Sequence, residues 1–475
     1  MPLITSISGI RGTIGGSATD GLTPVAIARF ASAFGTWVLK NSKTKRARVV
    51  IGRDARISGE MVRSITVSAI NALGIDVIDL GLSTTPTVEM AVPQLKADGG
   101  IIITASHNPK EWNALKLLNH NGEFISEKDG SEVLQIAKDE SYSFAPVTEL
   151  GAYQHDDSFI KKHIKKILAL PVVDVKAIRS KKFKVVIDCV NSTGGIAVPL
   201  LLKALGVRQI TKLYCNPDGH FPHNPEPLPE NLKALSREVR KRKADIGIAV
   251  DPDVDRLALV SENGGMFGEE YTLVAVADYV LRKEKGAAVS NLSSTRALRD
   301  VAEKHKQKYF ASAVGEVNVV RMMKEKRAVI GGEGNGGIIY PRLHYGRDAL
   351  VGIALVLSHL AQAGKKLSEL RSTYPDYFMS KKKLELARGI NIDDIVTGLR
   401  NRYSGFEIND IDGLKIDFSH GRPSSSEFKL PKGWVHLRKS NTEPIIRVYT
   451  ESDSEKSADE LAEKIIGEII STINI

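Results

Sequence analysis

One pattern of apolar and polar positions recurs three times along the chain: a short apolar run that reads as a strand, a polar loop, apolar residues at helical spacing, and a second short apolar run. The first copy places a strand at 48–51, a loop at 52–59, a helix reaching 73 and a strand at 76–80. The second opens with a strand at 184–188, turns through 191–195 into a helix ending near 205, and returns near 213. The third has a strand at 287–290, a loop at 291–295, a helix at 296–304 and a strand near 309. Three strand-loop-helix-strand units predict three related α/β domains. The last hundred or so residues read differently, with a helix at 392–403, short strands and a charged closing helix at 454–470, which is an α+β pattern. Polar and turn-rich junctions near 153–158, 261–267 and 374–380 predict domains at 1–155, 156–262, 263–376 and 377–475.

Composition narrows the picture. With 475 residues, 42% of them apolar and 26% charged, the chain is long enough to bury several cores and is neither disordered, collagenous nor a coiled coil. No apolar stretch approaches the roughly 18 residues a membrane span needs, and the first residues lack the pattern of a signal peptide. Its two cysteines, Cys189 and Cys215, fit a reducing compartment, so a cytoplasmic protein is expected. The formal charge of +10 is spread over clusters at 43–48, 161–166, 179–184, 240–243 and 381–383, and aromatic residues are only 6%. A nucleic-acid binder concentrates charge and interleaves aromatics, so no nucleic-acid partner is expected.

Four segments carry residues that do chemistry. Thr104-Ala105-Ser106-His107-Asn108-Pro109 follows the apolar run 100–103, and its proline ends regular structure, which projects the Ser106 hydroxyl from a loop. Alone, it also fits a turn whose Ser106 and Asn108 bond their own backbone. Asp251, Asp253 and Asp255 stand at alternate positions after the strand pattern 245–250, and three carboxylates so close call for a hard cation with oxygen preference, Mg²⁺ first. A calcium EF-hand is excluded: Glu262 falls at its twelfth position, but Arg256 stands where its sixth requires glycine. Gly331-Gly332-Glu333-Gly334-Asn335-Gly336-Gly337 reads as a loop in which the backbone approaches a ligand while Glu333 and Asn335 offer polar groups. It formally contains G-x-G-x-x-G, but Ile338-Ile339-Tyr340-Pro341 does not open the helix a dinucleotide site needs. Arg438-Lys439-Ser440-Asn441-Thr442-Glu443-Pro444 with Arg447 has the composition of a phosphate cradle.

In this order, the four segments resemble the α-D-phosphohexomutase family: its T-A-S-H-N-P serine loop, D-P-D-x-D-R metal loop, G-E-x-[SN]-G sugar loop and R-x-S-N-T-E-P-x-x-R phosphate loop. Ser8-Gly9-Ile10-Arg11-Gly12 and Asn224-Pro225-Glu226-Pro227 resemble two further family segments, so the likeness spans essentially the whole chain. The resemblance implies three related mixed-sheet α/β domains plus a C-terminal α+β domain around a central cleft. It also implies a phosphoserine enzyme, in which Ser106 exchanges a phosphoryl group with a hexose 1- or 6-phosphate through a hexose 1,6-bisphosphate that serves as intermediate and activator. Asp251, Asp253 and Asp255, with the phosphorylated Ser106, would hold Mg²⁺. Arg11, Arg256, His107 and Lys116 would supply charge and proton transfer, Glu333 and Asn335 would bind sugar hydroxyls, and Arg438, Ser440, Asn441, Thr442 and Arg447 would grip the phosphate that does not react.

The chain departs from the family pattern at two places. The sugar loop often ends in Ser-Gly-His, whereas this one ends in Asn335-Gly336-Gly337, and the glycine of N-G-x-K is Ala114. The usual loop base is therefore missing, and Lys116, His344 and Glu316 are the alternatives. The G-E-G-N-G-G loop resembles phosphoglucosamine mutases without the loop histidine, with phosphomannomutase/phosphoglucomutase as the alternative. Expected partners are small-molecule sugar phosphates and no membrane, with the protein a monomer or homodimer. A non-catalytic sugar-phosphate sensor and a metal-dependent phosphatase are the rivals from other classes. An intact serine beside three aspartates argues against the sensor, and multiple-turnover phosphate release would mark the phosphatase.

Overall fold

The computed structural model describes residues 3–6, 9–17, 20–385, 392–421, 432–439 and 445–473. They fall into two compact units, one made of Met1–Glu284 with Val329–Arg371, the other of Lys285–Ala328 with Ser372–Ile475.

The first unit opens with a seven-stranded mixed sheet in the order Ile4–Ser6, Gly9–Thr13, Trp112–Leu118, Gly99–Ile103, Arg48–Arg53, Asp76–Leu82 and Tyr153–His155. Its central strands Arg48–Arg53, Asp76–Leu82 and Gly99–Ile103 run parallel. They are continuous apolar runs because both faces are covered. Val49, Ile51, Ile101 and Ile103 pack on one side with Phe34, Val62, Ile70 and Ile136 from three helices. Val50 and Ile102 point the other way, into a smaller cluster with Val88 and Val92 of the helix Thr85–Gln94. This is the period of two that a strand imposes. Tyr153–His155, read from the sequence as a junction, is the parallel edge strand of this sheet.

A second sheet has the order Leu257–Ser261, Ile246–Val250, Lys184–Asp188, Gln209–Leu213. Its first two strands form an antiparallel pair whose register brings Val250 opposite Leu257, so residues 251–256 make the turn between them. The glycine-rich segment is not an open loop. Ile330–Glu333 and Gly337–Ile339 pair as an antiparallel hairpin, and only 334–336 turn. Glycine is required there by close approach: a Cβ on Gly332, whose φ is +153°, would lie 2.0 Å from the Gly337 carbonyl oxygen. The helix Ala349–Ala363 follows, its N-terminus capped by Asp348, which accepts from the backbone of Leu350 and Val351.

In the second unit, Ala288–Asn291 and Tyr309–Ser312 pair in parallel, with the helices Ala297–Lys304 and Glu316–Lys326 beside them in sequence. The C-terminal part is an antiparallel five-stranded sheet, ordered Phe378–Glu385, Ile445–Ser452, Gly433–Lys439, Leu414–Gly421, Phe406–Asn409. The helices Ile392–Arg402 and Glu455–Ile473 close one core with it, through Leu399, Leu461 and Ile465 against Ile416, Val435 and Val448. The α+β expectation for this segment is met.

Candidate active site

The serine loop leaves the sheet after Ile103 and is held rigidly from below. Ser106 has φ +49°, a left-handed conformation rarely taken by a residue with a side chain, and is only 8% exposed. Its backbone N–H donates to Thr104 Oγ1 at 2.9 Å, and Thr104 in turn donates to Asp54 Oδ2 at 2.6 Å. The fully buried Arg56 makes an ion pair with the same carboxylate at 3.1 Å. Its guanidinium also donates to four loop carbonyls: Ser106 at 2.6 Å, Asn108 at 2.7 Å, Pro109 at 2.6 Å and Trp112 at 3.0 Å. Strain at functional backbone persists only where the surroundings over-determine it, and Arg56 supplies that constraint.

The acidic turn faces this serine. Ser106 Oγ donates to Asp251 Oδ2 at 2.8 Å. One oxygen from each of Asp251, Asp253 and Asp255 lies within 4.8 Å of the others, and all three residues are buried. The turn is pinned from several sides. Thr85 donates its hydroxyl to Asp253 Oδ2 at 2.6 Å and its N–H to the Asp253 carbonyl at 2.9 Å. Ser192 and Thr193 both donate to the Pro252 carbonyl, at 2.7 and 2.8 Å, and the N–H of Ala349 bonds to the Val254 carbonyl at 3.1 Å. Val254 itself has φ +63°, a second strained position.

These carboxylates fit a divalent cation. Asp253 Oδ1 and Asp255 Oδ1 are buried with no hydrogen-bond partner, a costly state that a metal ion relieves. Burial first, then the neighbouring Asp255 and Asp253, pushes the Asp251 carboxyl well above the usual carboxylate range. Asp253 goes the other way: burial would raise it, but Lys116, 2.8 Å away, holds it well below that range. An all-oxygen donor set of this kind suits Mg²⁺.

Cations surround the acidic turn. Lys116 pairs with Asp253 and lies 3.7 Å from Asp255; burial disfavours its charge, but the two aspartates outweigh that and keep it an ammonium. His107 Nδ1 lies 3.5 Å from Ser106 Oγ. Burial, then the positive charge of Arg256, pushes the imidazole far down, so it is neutral at physiological pH. Glu226, from the N-P-E-P segment, stands between His107 at 3.8 Å and Arg256 at 3.5 Å. The Arg256 N–H also donates to Asp251 Oδ1 at 3.1 Å. Arg11 lies on the strand beside the one carrying Lys116, opposite Ala114.

The sugar-loop residues join through a side chain that sequence reasoning missed. Arg347 donates to Glu333 Oε2 at 2.9 Å and to Asp255 Oδ2 at 2.6 Å, linking the glycine hairpin to the acidic turn. It crosses the hairpin over Gly337, where a Cβ would meet Arg347 Cδ at 2.4 Å. Gly337 is the position where the family loop often carries histidine, and here the arginine takes that space. Asn335 Oδ1 accepts from the Gly337 N–H at 3.2 Å.

Of the alternatives for the missing base, Lys116 is engaged as a cation. His344 bonds to Asp348 at 3.3 Å, in a cluster separate from the acidic turn, and Glu316 belongs to the second unit. Arg438 and Arg447 are also in the second unit, on directly opposed positions of paired strands, with Arg438 held by Asp412 at 2.8 Å. Ser440, Asn441 and Thr442 lie outside the described residues.

One prediction follows from Arg347. Arg347→Met leaves two buried carboxylates, Glu333 and Asp255, without their shared cation, and is expected to destabilise the protein by about 3 kcal/mol. A lowered urea midpoint checks this, and Arg347→Lys is expected to recover only part, since an ammonium cannot span both carboxylates as a guanidinium does.

Comparison with known proteins agrees along the whole chain. It matches the models of phosphoglucomutase/phosphomannomutase α/β/α domain I over residues 3–143, domain II over 161–265, domain III over 268–377 and the C-terminal domain over 392–468. It is 37% identical over 458 residues to a phosphoglucomutase/phosphomannomutase of Thermococcus kodakarensis, covering 95% of this chain and 96% of the relative. Identity to a phosphoglucosamine/phosphogalactosamine mutase of Sulfurisphaera tokodaii is 30% over 464 residues, covering 96% and 97%. Its fold is similar to the crystal structure of a phosphoglucomutase/phosphomannomutase family protein from Burkholderia thailandensis, with a TM-score of 0.82, 25% identity and coverage of 99% and 98%.

Proposed function

Because the chain belongs to the α-D-phosphohexomutase family, we propose that Ser106 is the residue through which it moves a phosphoryl group between the 6- and 1-positions of a hexose phosphate. The enzyme is a mutase, an intramolecular phosphotransferase. The observation that carries the assignment of Ser106 is its hydroxyl, 2.8 Å from the first aspartate of a buried acidic triad.

Phosphoryl transfer asks a protein for alignment and charge neutralisation. Asp251, Asp253 and Asp255 would hold Mg²⁺ beside Ser106, and the bound ion withdraws charge from the phosphoryl oxygens and makes the serine oxygen a better leaving group. The fixed turn keeps the carboxylates in place without reorganisation. Lys116 and Arg256 add positive charge around the transferring group. His107, neutral and beside Ser106 Oγ, is suited to accept a proton. Glu333 and Asn335 bind sugar hydroxyls, with Arg347 fixing Glu333. Arg11 is assigned to the reacting phosphate, and Arg438, Ser440, Asn441, Thr442 and Arg447 to the phosphate that does not react. Each half-reaction exchanges a phosphoryl group between Ser106 and a sugar oxygen, and the hexose 1,6-bisphosphate between them turns over before the second.

The substrate we assign is glucosamine phosphate, supported by a sugar loop without histidine and by similarity to a phosphoglucosamine/phosphogalactosamine mutase. Higher identity to a phosphoglucomutase/phosphomannomutase favours a second reading, mannose and glucose phosphates. Four domains at 1–155, 156–262, 263–376 and 377–475 and a cytoplasmic location complete the proposal. So do small sugar-phosphate partners, with no nucleic acid, and a monomer or homodimer. Among the described residues no helix is long and apolar enough to cross a membrane.

A coupled assay with Mg²⁺ and a hexose 1,6-bisphosphate, comparing glucosamine 6-phosphate with mannose and glucose 1-phosphates, tests it. A kcat/KM for glucosamine at least about tenfold higher, roughly 1.4 kcal/mol in the transition state, is the expected result. Equal turnover of the other hexoses selects the second reading, and free phosphate released faster than isomer overturns the mutase mechanism.

A further inference from the structure

A second cluster of metal-ligating side chains lies outside the acidic turn. His163 Nε2 is 2.9 Å and His344 Nε2 3.3 Å from the same oxygen, Asp348 Oδ2, and ligand atoms from all three residues lie within 4.8 Å of one another. His163 is 1% exposed and Asp348 is fully buried, while His344 keeps 12% of its side chain at the surface. A tetrahedral zinc ion, bonded at about 2.0–2.2 Å, holds its ligand atoms about 3.4 Å apart, so these separations are close to those of a zinc site.

The distal ring nitrogens strengthen the case. His163 Nδ1 is 3.0 Å from Thr87 Oγ1, and His344 Nδ1 is 3.4 Å from Glu89 Oε2. Metal-bound histidines characteristically present the second nitrogen to a carboxylate or hydroxyl in this way, which fixes the tautomer. Proton counting points the same way. A neutral His344 has one N–H and faces a carboxylate at each nitrogen. A metal ion on Nε2 replaces one proton and leaves the other on Nδ1 for Glu89.

The four acidic and imidazole groups also come from three different parts of the chain. Glu89 lies in the span matching domain I, His163 in that matching domain II, and His344 and Asp348 in that matching domain III, all within the first compact unit. A metal here ties three segments together and leaves the Ser106 chemistry untouched.

We propose that His163 Nε2, His344 Nε2 and Asp348 Oδ2 form a structural site for a divalent transition metal, zinc first, with water as fourth ligand and with Glu89 and Thr87 orienting the rings. To test it, the full chain is stripped with chelator, loaded with zinc in the presence of excess Mg²⁺ to occupy the acidic turn, desalted and assayed for metal. The expected result is about one zinc per chain and a rise in the thermal midpoint of about 3 °C. Cobalt in place of zinc is expected to give the intense visible bands of a four-coordinate site with nitrogen ligands. His344→Gln is expected to weaken zinc binding by about 100-fold or more, and Glu89→Gln, which leaves all three ligands intact, by about tenfold. Should His344→Gln fail to fold, the Glu89→Gln comparison decides. Equal zinc retention in wild type and variant, or no zinc retained by the wild type, overturns the proposal.

Discussion

Ser106→Ala is expected to lower kcat by at least about 10⁴-fold for every hexose phosphate the enzyme accepts, because removing a covalent nucleophile closes both half-reactions at once. The fold is expected to survive. Alanine meets the left-handed φ of +49° no worse than serine does, and the printed side-chain bonds lost are those to Asp251 at 2.8 Å and the 3.5 Å contact with His107. Mass spectrometry after exposure to hexose 1,6-bisphosphate gives an independent readout. Wild-type protein is expected to take up one phosphoryl group and the variant none. A variant active within tenfold of wild type would sink the phosphoserine mechanism, whatever the substrate.

Ser106 and the three aspartates were legible in the sequence because each belongs to a short segment whose chemistry is local. Carboxylates at 251, 253 and 255 converge within one turn, and a serine two residues before Asn108 and three before Pro109 leaves a strand end in one direction only. The groups that make those segments work come from far along the chain. Arg56 reaches the Ser106 carbonyl across 50 positions, Arg347 reaches Asp255 across 92, and Thr85 reaches Asp253 across 168. None has a spacing signature, since a single arginine in a polar loop or a threonine before Pro86 reads as ordinary surface or capping sequence.

The glycine-rich segment shows the opposite failure. Five glycines predict a loop because glycine weakens strands, yet Gly331 and Gly332 continue a strand. Their partner backbone and the Arg347 side chain pass too close for a Cβ at Gly332 or Gly337. Lys116 is a subtler case. Its place in the motif suggested proton transfer, but two buried aspartates make it a permanent cation, a difference that only the distances reveal.

The same reasoning gives the second large effect. Arg56→Met removes the one side chain that joins Asp54 to the carbonyls of Ser106, Asn108, Pro109 and Trp112, all of them at or beside the strained serine loop. Breaking a buried ion pair from one side costs about 3–5 kcal/mol, and the orphaned carbonyls add to it. Activity should fall with stability, because Ser106 no longer has its φ imposed. The loss should also depend on pH. Burial already raises the Asp54 carboxyl above its ordinary 3.8, with Arg56 the chief group lowering it, so the variant raises it further. A group whose folded-state pKa is raised gives most stability below its unfolded value and loses it as pH rises through the folded one. Urea midpoints of Arg56→Met relative to wild type are therefore expected to drop more at pH 8 than at pH 5. A deficit that shrinks with rising pH would mean that Asp54 is not the group left uncompensated. Arg56→Lys, which keeps the charge but not the planar fork, should restore the pH behaviour and recover little of the activity.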